Sequence, residues 1–393
     1  MKVVAIGGAG AVGAAALATL TRSGSVDEVV VADRDAGAVQ ACARALGITG
    51  RIVDATDTSS LRAVLADADV VLNTVGPFQR FGSRVLQAAI DTQTHYVDVC
   101  DDWQPTLEML ALHDEAAAAG VTAVIGIGAS PGVSNLMAKC AAAELDTIDE
   151  LYTVWPVDPA NLGASADEAV LLAANGRPSA AALHWMQQCS GTIAVARGGH
   201  LEYEAPLRPI RMRLPGGRVG TVYTVGHPEP VTLQRTLAAS ADIACAMVVK
   251  ASTAAFLDRL RRRIDAGRDT LESSVAALVR PGWRSVSAAL LRAPAWRGPG
   301  NLPAFFVSAT GRRAGAATTV LVHSAGAVDE LMTDMARATG VPLALTSIQI
   351  CQGLLANPGV HAPESVIDPG RFFADLARQV GADPARPLAV EVE

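Results

Sequence analysis

The stretch from Lys2 to Asp33, KVVAIGGAGAVGAAALATLTRSGSVDEVVVAD, constrains this chain more than any other. An apolar run from Val3 to Ile6 leads straight into Gly8, Gly10 and Gly13. An Ala-rich segment of helical character follows, and a second apolar run, Val29 to Ala32, ends at Asp33. Strand, glycine turn, helix, strand and acid, in that order, make a dinucleotide-binding βαβ unit. Each part has a physical role there. Gly8 permits the tight turn out of the strand, Gly10 lets the backbone approach a pyrophosphate, and Gly13 lets the helix pack closely on the strand. The helix opening at Ala11 and Val12 directs unpartnered N–H groups and the positive end of its dipole at the phosphates. Asp33, about 20 residues further on, is placed to accept hydrogen bonds from the adenosine ribose hydroxyls and to repel a 2′-phosphate. That arrangement selects NAD. Arg34 keeps NADP open, because a guanidinium there either holds a 2′-phosphate or stacks on adenine.

A chain of 393 residues is too long for one ordinary core, so two domains are expected. Net charge is −7 and the Arg residues are scattered, apart from Arg259, Arg261, Arg262 and Arg263, which argues against nucleic acid as a partner. That Arg cluster reads as the solvated face of a helix. Lys is confined to Lys2, Lys139 and Lys250, which leaves few nucleophiles for Schiff-base chemistry. Cys42, Cys100, Cys140, Cys189, Cys245 and Cys351 form no CxxC pair and no Cys/His metal spacing, so the expectation is free thiols, a reducing compartment and no metal. The Met-Lys start runs directly into a strand and no 18-residue apolar stretch lacks polar breaks. A cytoplasmic protein with no membrane partner is expected.

After Asp33 the pattern predicts a helix over 36–46 and a short strand over 51–53 that ends at Asp54, within reach of an adenine amino group. Asp57 either joins it there or caps the helix over 58–66. The strand over 69–72 runs into Asn73, Thr74, Val75, Gly76 and Pro77. Ligands of a doubly wound sheet sit beyond the carboxyl ends of its strands, so Asn73, Val75, Gly76 and Pro77 should border the ribose and nicotinamide. A helix over 82–91, a strand over 95–99, a helix over 104–119 and a strand over 121–126 complete a regular alternation. The class is therefore α/β, a Rossmann-type doubly wound parallel sheet over residues 1–130. A helix over about 330–355, within the segment 330–393, should pack back on it. The Gly- and Pro-rich loop from Gly126 to Asn135, with Ser130 as a candidate substrate contact, is either a cleft floor or a simple chain reversal. Beyond it, runs of strand character at 151–157, 191–195, 207–214, 219–225, 304–308 and 317–322, with helices over 166–188 and through most of 242–293, predict an inserted α+β substrate and dimerisation domain over 131–329.

Hydride transfer asks a protein for alignment of the reactants and for one group to manage a proton. Tyr96 and Asp98 face one side of their strand and His95 the other. Asp98 or Asp102 takes an amine proton if burial raises its pKa, or Asp98 ties down the next loop; His95 is either an acid/base or a structural histidine. His227 and Glu229, framed by Gly226, Pro228 and Pro230, form a second candidate catalytic pair or a structural turn. Arg211, Arg213 and Arg235 are candidates for a substrate carboxylate, or ordinary surface residues.

Several blocks together carry a family resemblance: GGAGAVG at Gly7–Gly13, NTVGPFQRFG at Asn73–Gly82, THYVDVCDD at Thr94–Asp102 and GASPGVSNLMA at Gly128–Ala138. GHPEPVTLQR at Gly226–Arg235 and GVHAPESVIDPGRFF at Gly359–Phe373 extend it. The chain resembles the saccharopine dehydrogenase family, lysine 6-dehydrogenase and its relatives included. That resemblance implies a Rossmann domain completed by the C-terminal helix, an inserted substrate domain, a nicotinamide cofactor, a small-molecule substrate and a homodimer. It implies oxidation or formation of a C–N bond, with a branch that resembles enoyl reductases. The expected function is an NAD-dependent oxidoreductase acting at a C–N centre. The alternatives are a reductase of a C=C or C=O group and a non-catalytic NAD-binding protein.

Overall fold

The computed structural model describes residues 1–156, 178–238, 240–279 and 295–393. The chain divides into two compact units, 1–139 with 324–388, and 140–323 with 389–393. The division thus falls at 139/140 and 323/324 rather than at 130 and 329, because the helix Val133–Ala142 begins in the first unit, and the last residues pair with the second.

In the first unit β1 (Lys2–Ile6), β2 (Glu28–Asp33), β3 (Thr49–Ile52), β4 (Val70–Asn73), β5 (His95–Asp98) and β6 (Thr122–Val124) form a wholly parallel sheet. The order is β6-β5-β4-β1-β2-β3, and a strand not expected from sequence, Gly359–His361, pairs parallel with β6 at the edge. Helices cover both faces, which is why Val3, Val4, Ala5 and Ile6 are all buried and read as an unbroken apolar run. Local chemistry fixes the helices between the strands. Asp35 and Asp57 cap the helices Ala36–Leu46 and Thr58–Leu65 by accepting the N–H groups of Ala38 and Ser59. Gly24 and Gly47 end the first two helices in the left-handed conformation. Asp57 is therefore a cap.

The expected helix over 104–119 is two, Trp103–Leu110 and His113–Ala118, and the helix before β5 starts earlier than expected, at Phe78. The expected C-terminal helix is Met335–Cys351, preceded by the short helix Ala327–Leu331. It packs on α1 (Ala11–Ser23) at Gly340, where an added Cβ would lie 2.6 Å from the Val12 carbonyl oxygen. Among the described residues no helix is long and apolar enough to cross a membrane.

The second unit is built on a mixed sheet. β7 (Thr147–Pro156), β8 (Ile193–Arg197), β9 (His200–Glu204), β10 (Pro209–Leu214), β11 (Arg218–Thr224), β12 (Asp242–Val248), β13 (Phe306–Arg313) and β14 (Ala316–Ser324) are joined by the final strand Leu388–Val392. Only β12 with β7 is a parallel pair among the registers described. The stretch 242–293, expected to be mostly helical, opens with β12. Its sequence DIACAMV has no strand periodicity because it is buried on both faces at the centre of the sheet. The described helices of that stretch are Ala251–Asp265 and Leu271–Val279. Of the helix expected over 166–188, Ala180–Gln188 is described; the remainder, 166–177, and the stretch 280–293 lie outside the described residues.

Candidate active site

The carboxyl ends of β1, β2 and β4 open onto a cleft of about 470 Å³. Gly7, Gly10, Asp33, Arg34, Asp54, Thr56, Thr74, Val75, Gly76, Pro77, Arg80 and Phe81 line it. The turn out of β1 falls on Gly7, not on Gly8 as expected. Gly7 has φ +76°, and a Cβ there would lie 2.9 Å from both Thr74 Oγ1 and Val75 Cγ2. The N–H groups of Gly7 and Gly8 both donate to the Ala32 carbonyl, tying the turn to β2. Gly13 provides the close packing, since a Cβ on it would sit 2.6 Å from Gly8 Cα, so helix and turn touch backbone to backbone. Gly8 and Gly13 are therefore buried behind the cleft, and Gly10 is on it. No side chain caps α1 at Gly10, which leaves the first-turn N–H groups of Ala11, Val12 and Gly13 without helical partners. This is the cradle a pyrophosphate needs, and the residues fit a dinucleotide.

Asp33 ends β2 half-buried, its Oδ1 accepting the Asp35 N–H at 3.2 Å, with Arg34 exposed beside it. Asp54 Oδ1 accepts both the N–H and the hydroxyl of Thr56, each at 2.8 Å. Those bonds hold its pKa below the ordinary carboxylate value. Arg80, over the Phe81 ring at 5.0 Å, and Thr74 were missed from sequence. Their position directly around Gly76 and Pro77 was the available signal.

Behind this wall lies a chain of buried hydrogen bonds. Ile6, Asn73 and Asp98 are neighbours in register across β1, β4 and β5. Asn73 Oδ1 accepts the Val75 N–H at 3.0 Å, and its Nδ2 donates to the Tyr96 hydroxyl at 3.0 Å. The Tyr96 hydroxyl donates to Asp98 Oδ2 at 2.8 Å. Asp98 Oδ1 accepts the N–H groups of Gly126 at 2.7 Å and Cys100 at 3.0 Å. Asp98 is wholly buried, and burial lifts its pKa to about 6 against the pull of those hydrogen bonds. Burial likewise pushes the Tyr96 phenol up. The shared face expected of Tyr96 and Asp98 is observed, but neither side chain lines the cleft; together they brace the loops after β4, β5 and β6. His95, half-buried, accepts the Thr122 N–H on Nδ1 at 3.0 Å, and burial lowers its pKa. It too is outside the cleft lining. Asp102 Oδ2 accepts from Gln79 Nε2 at 2.7 Å at the head of the helix Trp103–Leu110. Ser130, partly buried, precedes Pro131 through a cis peptide.

In the second unit the expected pair is in contact. His227 Nδ1 lies 3.1 Å from Glu229 Oε2, between β11 and the helix Glu229–Thr236, with Pro228 and Pro230 stiffening the turn. β12 brings Cys245 to them, its thiol 4.0 Å from Glu229 Oε1, and Trp155 Nε1 donates to Cys245 Sγ at 3.3 Å. His227, Glu229 and Cys245 are 3%, 0% and 1% exposed. Burial works against protonation of His227, but Cys245 and Glu229 together hold its pKa well above the ordinary value. Arg211 and Arg213 alternate with buried Ile210 and Met212 on the outward side of β10, and Arg235 is exposed at the end of its helix. The structure does not gather the three arginines, because strand alternation turns Arg211 and Arg213 away from the core. Cys245 and Trp155 were missed, since nothing local in sequence relates them to His227.

Residues 3–124 match the family described as the saccharopine dehydrogenase NADP binding domain. Saccharopine dehydrogenase [NADP(+), L-glutamate-forming] of Saccharomyces cerevisiae is 34% identical over 151 residues, 38% of this chain and 31% of that protein. A trans-acting enoyl reductase of Mycobacterium leprae is 34% identical over 86 residues, 22% of this chain and 21% of that one. The chain therefore covers about a third or less of the length of these curated relatives. The solved structure of apo histidine-tagged saccharopine dehydrogenase (L-Glu forming) from Saccharomyces cerevisiae has the same fold, with a TM-score of 0.63 at 18% identity over 100% of this chain and 99% of that one. Residues 3–124, the segment that builds the glycine turn, Asp33 and most of the braced wall of the cleft, thus form a saccharopine dehydrogenase-like, NAD(P)-binding Rossmann domain.

Proposed function

We propose that the protein is an NAD-dependent oxidoreductase that moves a hydride at a C–N centre of a small amine or amino-acid-like molecule. The observation that carries the reading is the cleft itself: a backbone-only glycine cradle at the carboxyl edge of the sheet, with Asp33 at the end of β2. A nicotinamide dinucleotide held there supplies the hydride acceptor or donor. The chain's own part is to bind and orient. Gly10 and the head of α1 face phosphate, Asp33 reads the ribose, and Val75, Gly76 and Pro77, held by Asn73, wall the nicotinamide side. In the oxidative direction the C–H bond beside nitrogen loses hydride, the nitrogen loses a proton, and a C=N bond forms. The choice of a C–N bond rests on the likeness to saccharopine dehydrogenase.

The test is a screen of amines and amino acids with NAD, and of imines with NADH, following nicotinamide absorbance. Turnover of one amine or imine is expected. Reduction of an enoyl substrate with none of these turned over would replace the reading with that of a C=C reductase, which the likeness to the mycobacterial enoyl reductase favours. Cofactor binding without any turnover would make the protein a non-catalytic NAD binder.

A further inference from the structure

We propose that His227, Glu229 and Cys245 form a buried binding site for a divalent zinc-type cation in the second unit. One ligand atom from each residue lies within 4.8 Å of the other two, and all three side chains are buried. Ligands about 2.0–2.3 Å from a tetrahedral zinc stand roughly 3.3–3.8 Å apart, so closure onto an ion asks for movements on the order of an ångström or less. Imidazole, carboxylate and thiolate are the donor types of zinc sites, whereas magnesium and calcium take oxygen throughout.

Two further observations point to a ligand. Trp155 Nε1 donates to Cys245 Sγ at 3.3 Å. A neutral thiol is a weak acceptor, and an indole N–H aimed at sulfur is the outer contact that a metal-bound thiolate takes. Thr153 stands opposite Cys245 in the parallel register of β7 and β12, so the two side chains share a face of the sheet. Its hydroxyl is wholly buried with no hydrogen-bond partner. A polar atom in that position is satisfied by a water completing a metal's fourth position. Charge balance agrees: thiolate and carboxylate together bring two negative charges into the interior, and a divalent cation neutralises both. Rigidity follows from the placement of Cys245 in a central strand and of His227 and Glu229 on either side of Pro228, with Pro230 next in the chain.

The test uses the full chain, expressed with zinc in the medium, desalted, and assayed for metal by plasma mass spectrometry. About one zinc per chain is expected in the wild type, falling by more than about tenfold in Cys245→Ser and in Glu229→Gln, each checked for wild-type circular dichroism. Cobalt added to chelator-stripped protein should give a sulfur-to-metal charge-transfer band that Cys245→Ser lacks. Trp155→Phe should keep the band but weaken cobalt binding by about 10- to 100-fold. The assignment is overturned if the wild type purifies without zinc and, once stripped, takes up neither zinc nor cobalt, or if the Cys245 and Glu229 variants carry as much metal as the wild type. Neither readout depends on turnover, so failure here and failure of the oxidoreductase reading are separate results.

Discussion

Asp98→Asn isolates what the buried carboxyl does for the first unit. The side chain is wholly buried, and its pKa rises from 3.8 to about 6. An acid whose native pKa is raised binds its proton more tightly folded than unfolded. Below about pH 3.8 Asp98 is protonated in both states and its ionisation costs nothing. As pH rises, the unfolded chain ionises first while the native carboxyl stays protonated to about 6, so stability contributed at this site falls across that window and is level above it. At about 1.36 kcal/mol per pH unit the fall is about 3 kcal/mol. Asparagine keeps the geometry. Its carbonyl accepts the Gly126 and Cys100 N–H groups, and its amide donates to the Tyr96 oxygen, whose own proton turns toward Met109 Sδ at 3.9 Å. Urea unfolding of wild type and Asp98→Asn side by side, followed by circular dichroism from about pH 4 to about pH 7, cancels every other titrating group. The stability of the variant relative to wild type should climb by about 2.4 kcal/mol over that range, the rest of the fall lying below about pH 4. A flat difference would refute the argument, because it would mean that native Asp98 titrates like an exposed carboxylate.

Three other perturbations test neighbouring steps. Tyr96→Phe removes the hydroxyl between Asn73 and Asp98, strands two buried polar groups, and should cost about 1–3 kcal/mol of stability by denaturant unfolding. Asp33→Ser should weaken NAD binding by about 1–3 kcal/mol and improve NADP relative to NAD, with Arg34 as the main phosphate contact; an unchanged ratio by calorimetry would show that Asp33 does not read the ribose. Gly340→Ala gains about 1 kcal/mol of helix propensity, but its methyl would lie 2.6 Å from the Val12 carbonyl oxygen and 2.8 Å from Ala15 Cβ. Overpacking of about 1–3 kcal/mol between two helix backbones outweighs the gain, so the melting temperature should fall.

What could be read in advance follows from how far apart in the chain the deciding contacts lie. The βα units of the first unit carry their own punctuation: Asp35 and Asp57 cap their helices through residues two or three positions away, and Gly24 and Gly47 end theirs. Gly7 and Gly8 are adjacent and chemically identical, so which takes the left-handed turn depends on the contact with Thr74 and Val75, in the loop after β4 and far along the chain. The brace at Asp98 was half legible. Strand alternation puts Tyr96 and Asp98 on one side, but only the parallel register with β4 and the folding back of Gly126 show that their polar atoms are occupied.

The second unit yields less to sequence because its chemistry is assembled by strand pairing. The motif around His227 and Glu229 is local and was recognised, while Cys245 reaches it only because β12 lies between β11 and β7. That same pairing sets Thr153 opposite Cys245 and carries Trp155 to its sulfur. A search for ligands by spacing along the chain finds sites whose donors are a few residues apart. Here the donors come from a turn and from a strand whose sequence, DIACAMV, carries neither strand nor helix periodicity, so the antiparallel pairing of β12 with β11, which leads into the turn at His227, decides whether Cys245 is a core thiol or a ligand.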